Sequence, residues 1–193
     1  MKALIDDART ALGGVFRLMA FREDWRSAFD VSADGLVRSF AAVLICLPAY
    51  AFLVAALNHF VVSNPDLAPE AATMGLGEAA LQYARLWLLF PLVAALVVLV
   101  LGRRRALVPW IVVHNWTVVA LIHLQVLIWA LNAAGLVDGA VLASLLSFYQ
   151  LLRLFAHWRV ALGALDVGPV TAGAAAAIPL IADWLVIYSG AAG

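Results

Sequence analysis

Four histidines and a few ionisable residues set in apolar surroundings are the groups here that could do chemistry. His114 and His123 lie nine residues apart in one apolar run. At about 100° per residue they fall on opposite faces of a helix and cannot share a metal. His59 and His157 belong to other runs, and no pair has the i,i+3 or i,i+4 spacing of a helical metal site. Haem would need axial histidines from two helices at one depth. Only His59 with His123 offers that, and separately hydrogen-bonded histidines account better for all four. The single cysteine, Cys46, leaves no disulfide or cysteine metal site within the chain. There is no Walker loop, HExxH, GxSxG or carboxylate pair inside a run. The sequence therefore predicts no metal, no cofactor and a non-enzymatic protein.

The polar residues inside the apolar runs fall into two groups. An ionisable side chain at the centre of a bilayer costs about 2.5–3.5 kcal/mol on insertion scales, so each one asks for a reason. Toward the outer half lie Asn58, His59, Arg85, His123, Gln125 and Asp183. Asp183 is expected to pair with Arg85 or His123, either as a clamp on the last helix or as a proton or substrate site. The clamp is the preferred reading. Toward the inner half, Gln150, Arg153 and His157 share one helical face and predict a polar seam, with Arg153 near the boundary and able to snorkel. Asn115, with His114, sits at similar depth on the neighbouring run and is expected to hydrogen-bond another helix.

The elements that hold these groups are read from hydropathy. The chain of 193 residues is 66% hydrophobic and 12% charged, against about 45–50% and about 25% in soluble domains. Mean hydropathy is +1.01. Lipid must then be part of the solvent. Five apolar runs, at about 38–62, 79–101, 106–132, 138–157 and 168–189, each approach the roughly 20 residues of a spanning helix. They do not alternate as barrel strands would. The predicted fold is an all-α, polytopic membrane bundle of five transmembrane helices preceded by an N-terminal amphipathic helix. The division is 1–36, a cytoplasmic interfacial segment, and 37–193, the transmembrane domain. In residues 3–21, Ile5, Ala8, Leu12, Val15, Phe16 and Met19 recur at helical spacing, although Gly13 and Gly14 weaken the pattern. Pro48, Pro91 and Pro179 fall inside spans. Gly173 and Ala177 form a small-xxx-small pair for close helix contact, within the bundle or between copies.

Charge sets the expected orientation. Lys2, Arg9, Arg17, Arg22, Arg26, Arg38, the triplet Arg103, Arg104 and Arg105, and Arg153 and Arg159 all fall on one side of a five-span chain, whereas residues 63–78 carry acids and no base. Basic segments stay cytoplasmic, so the N-terminus is expected inside and the C-terminus in the periplasm. The sequence has no targeting signal, which favours a bacterial inner membrane. Zero net charge argues against nucleic acid as a partner. Membrane lipids, other membrane subunits or a second copy are the expected partners.

Together, FDVSADGLVRSFAAVLICLPAY (29–50), HNW (114–116) and FYQLLRLFAHWRVALGAL (148–165) resemble Yip1-type five-helix membrane proteins, in particular bacterial members. The resemblance implies a non-enzymatic scaffold or accessory subunit of a membrane complex. The alternative expectation is a small transporter or channel component using the outer cluster around Asp183.

Overall fold

The apolar runs become helices in the computed structural model, which describes residues 2–64 and 73–191, with backbone only for 2–4, 183–184 and 186–191. Helix α1 spans Lys2–Met19, α2 Ala33–Ser39, α3 Ala41–Ser63, α4 Leu76–Val100, α5 Leu107–Ala133, α6 Gly139–Leu165 and α7 Pro169–Ala191. Short 3-10 turns at Glu23–Ala28 and Arg104–Ala106 complete the secondary structure, and no strand occurs among the described residues. Pro48, Pro91 and Pro179 lie inside α3, α4 and α7.

Among the described residues, four stretches are long and apolar enough to cross a membrane: Ala33–Ser63, Leu76–Val100, Arg104–Ala133 and Gly139–Leu165. The described apolar part of α7, Pro169–Ala182, is shorter. The chain is thus an all-helical, multi-span membrane protein. Its outer surface agrees: Leu44, Leu47, Leu88, Leu92, Leu96, Leu151 and Leu154 are exposed along α3, α4 and α6, where lipid can solvate them.

Helix α5 is the central element. All ten residues from 110 to 119 are buried, as expected of a helix apolar around its whole circumference. Helices α3, α4 and α6 pack on it, and α7 closes against α4 and α6. Glycines in the left-handed region end two helices: Gly102 (φ 67°) follows α4 and Gly135 (φ 70°) follows α5. Helix α6 differs most from expectation, running to Leu165 rather than stopping near 157. Arg159 had suggested a boundary, but its side chain is folded into the protein and is only 7% exposed. Of the rest of 158–165 only Gly163 disfavours a helix, and it sits in close contact with Trp25. The extension moves Arg153 away from the boundary: it is the fifteenth of 27 residues, at the middle of the helix.

The N-terminal elements fold onto one end of the bundle. The α1 stripe that packs is Ala11, Gly14, Val15 and Leu18, while Ile5 and Phe16 are exposed. The stripe is therefore rotated from the expected one, because Gly14 is where the chain returns. A Cβ there would lie 2.6 Å from that of Ala28. Gly163 on α6 is equally constrained, 2.9 Å from the Trp25 ring. Arg159 Nη2 and Nε both donate to the Leu18 carbonyl, at 2.7 and 3.2 Å. The guanidinium also lies 3.9 Å from the centre of the Phe21 ring. A cation thus meets the carbonyl end of α1, where the helix dipole favours it. The Ser32 hydroxyl caps α2 by accepting from Gly35 N. The Asp30 carboxylate is held below its usual pKa by hydrogen bonds from Ser32 and by the Arg38 charge. Asp24 is shifted the same way, chiefly by its hydrogen bond from Arg17.

Candidate functional site

Each helix of the bundle places one face on a shared interior space. On α5 the residues Trp110, His114, Val118, Leu121, Gln125 and Trp129 follow one another at three- and four-residue steps, a single helical stripe. On α6 the stripe is Leu146, Tyr149, Gln150, Arg153 and His157; on α4 it is Gln82, Arg85, Leu86, Leu89 and Phe90. Helix α3 adds Tyr50, Leu53, Val54 and Leu57, and α7 adds Ala176, Pro179 and Leu180. Between them lies a cavity of about 480 Å³, within the roughly 300–1,000 Å³ of small-molecule sites.

The polar groups form a ladder along this cavity. Counting about 1.5 Å per residue from the helix ends nearest the arginine turn, His114 and His157 stand at about 10–12 Å, Arg153 at about 18 Å, Arg85 and Gln150 at about 22 Å and Gln125 at about 27 Å. Arg85 and Gln125, expected in an outer cluster, and Gln150, Arg153 and His157, expected in an inner seam, therefore line one space.

An aromatic stack builds the lower end of the ladder. His114 lies flat on Phe90, with ring centres 3.3 Å apart and planes 1° from parallel. His157 stacks on His114 at 5.1 Å. The edge of Phe90 meets Trp110 at 5.3 Å. His114 is only 6% exposed, and its Nδ1 is buried with no hydrogen-bond partner. The Nε of Arg153 is in the same condition. Unsatisfied buried polar atoms are uncommon, because each forfeits its hydration for nothing. Both residues line the cavity, although these two atoms themselves are closed off from it.

The remaining expected residues lie elsewhere. Asn58 is used by the chain itself: its amide donates to Met74 O at 3.0 Å and accepts from Met74 N at 2.8 Å, tying the end of α3 to the start of α4. His59 is exposed. His123 is exposed too, and its Nδ1 lies 2.8 Å from the Val119 carbonyl of its own helix. These three therefore do not gather with Arg85 and Gln125. The Asp183 side chain lies outside the described residues. Asn115 is buried beside the cavity rather than on it, and donates to Ser39 Oγ at 3.0 Å, joining α5 to α2. A Cβ on Gly173 would lie 3.8 Å from Trp158 of α6, so this part of the small-residue face is used inside the bundle, with Ala177 one turn further along, half-buried.

Residues that spacing on a single run did not single out are Gln82, Tyr50 and the edge-to-face pair Phe90 and Trp110. The available signal was the α5 stripe itself, in which His114 and Gln125 alternate with large apolar residues at helical steps. No protein-family model matches the chain, and no curated protein or solved structure matches it significantly.

Proposed function

We propose that this is a membrane-embedded binding protein that takes a small amphipathic molecule into the cavity around α5, as the binding component of a small transporter or carrier. The observation that carries the reading is the row of polar side chains, Gln82, Gln125, Gln150, Arg153 and His157, set among aromatic and aliphatic residues on the wall of one cavity. The role is non-enzymatic: the wall supplies hydrogen bonds and stacking surfaces suited to holding a guest.

In this reading α3 to α7 make five crossings, in the arrangement of Yip1-type proteins, and residues 1–36 form a cytoplasmic unit. Support for that orientation comes from the arginines of 102–105 and from the N-terminal unit, which packs on the same end of the bundle through Arg159 and Leu18. The C-terminus is then periplasmic and the membrane a bacterial inner one.

The test is cross-linking from within. A diazirine leucine analogue at Leu121, which is buried on the cavity wall, should capture a discrete small molecule. The same analogue at Leu127, which is 57% exposed on the same helix, should capture the bulk phospholipid mixture. Bulk phospholipid at both positions, or nothing at Leu121, would overturn the reading. A second reading, a scaffold or accessory subunit, is favoured by the exposed Phe16, Phe21, Val31 and Val37 of the segment from α1 to α2, which offer an apolar surface to headgroups or to another subunit. Substituting these four by Ser should release partners in that case and leave cavity capture unchanged.

A further inference from the structure

We infer that the guest is an amphiphile with one anionic headgroup, a carboxylate or a phosphate monoester, on a single apolar chain, and that Arg153 receives the headgroup. This rests on the cavity being a binding site, as proposed above.

Arg153 stands about 21 Å along α6 from one end and about 18 Å from the other, too deep for its guanidinium to reach either surface easily. A charge at that depth is retained only where something compensates it. Among the described residues, the charged and titratable groups on the cavity wall are Tyr50, Arg85, His114, Tyr149, Arg153 and His157, and none is a carboxylate. Arg153 Nε has no hydrogen-bond acceptor among the described residues.

A neutral guest would fill the hydrogen bonds of Arg153 and leave its charge uncompensated. An anion does both. The planar guanidinium matches two oxygens of one carboxylate or phosphate, and such charge-assisted bonds are about twice as strong as neutral ones. Leu53, Leu57, Leu121, Leu146 and the rings of Trp110 and Trp129 provide the apolar wall for a chain. The volume suits a single-chain molecule.

Trp110 and Trp129 make binding visible, because bromine on a bound chain quenches their fluorescence. The full-length protein in nanodiscs of zwitterionic lipid would be titrated at neutral pH with ω-bromolaurate, ω-bromolauryl phosphate and ω-bromolauryl alcohol. At least one of the two anions should quench saturably with about tenfold or more higher affinity than the alcohol, and the anion that does so identifies the headgroup. Arg153→Gln should abolish that preference, and Arg153→Lys should reduce it. Equal saturable quenching by alcohol and anions overturns the charge assignment while leaving the cavity reading standing. No saturable quenching by any of the three overturns both. An anion preference unchanged in Arg153→Gln or in Arg153→Lys overturns the role of Arg153. Should Arg153→Gln fail to fold, the wild-type comparison and Arg153→Lys still decide.

Discussion

Replacing Arg159 with Met should free the N-terminal unit while keeping the bundle intact. The Met side chain preserves much of the apolar stem and removes the charge. What is lost is a guanidinium that gives two hydrogen bonds to the Leu18 carbonyl and lies over Phe21. A hydrogen bond from a charged group contributes about 1.5–3 kcal/mol. The helix C-terminus and the aromatic face each add about 0.5–1 kcal/mol. These terms overlap, and the freed carbonyl is partly repaid by water, so a net loss of about 2–3 kcal/mol in the docking of α1 is expected. At about 1.4 kcal/mol per tenfold, hydrogen exchange protection of amides in the docked part of α1, around Ala11 to Leu18, should fall about 30- to 150-fold, with α5 amides unchanged. Arg159→Lys keeps the charge with fewer donors and should fall between. Unchanged protection in Arg159→Met would refute the account of how α1 is held.

Gly163→Ala should loosen the same contact, since the new methyl would sit 2.9 Å from Trp25 and 3.1 Å from Leu18; a cost of about 1–3 kcal/mol is expected, read as earlier thermal release of Trp25 fluorescence. Asn115→Leu removes the hydrogen bond to Ser39 inside a packed interior and should cost about 1–2 kcal/mol, measured as a lower thermal midpoint in nanodiscs. Acid should weaken the attachment of α2 in a defined direction. The folded pKa of Asp30 is depressed, so its contribution is present above the unfolded value of about 3.9 and is lost as pH falls below it; exchange of α2 amides between pH 6 and pH 3, as about the practical range, checks this. Asp30→Asn should flatten that dependence.

The helices were legible because lipid imposes one rule on every span: an unbroken apolar run with its backbone bonded internally. That rule located α3, α4, α5 and α7 within three residues. It failed at the end of α6, where Arg159 resembles a boundary residue in sequence and is buried by α1 in space. The same error put Arg153 near a surface. The polar residues were visible one run at a time: helical periodicity puts Gln150, Arg153 and His157 on one face, and all three line the cavity. What periodicity could not give was which faces meet. His123 and Gln125 are two residues apart on α5, yet one is exposed and the other lines the cavity, because α5 is enclosed on only part of its outer half. Asn58 illustrates the other limit: its partner is a backbone group in a loop, which no side-chain pattern reports.

Native mass spectrometry of the protein purified from its own membranes reads the occupancy of the cavity. One discrete small-molecule adduct is expected on the wild-type chain, with its loss in a folded Val118→Trp variant whose indole fills the cavity. A wild-type chain of bare polypeptide mass, or an adduct equally present in Val118→Trp, would contradict that occupancy.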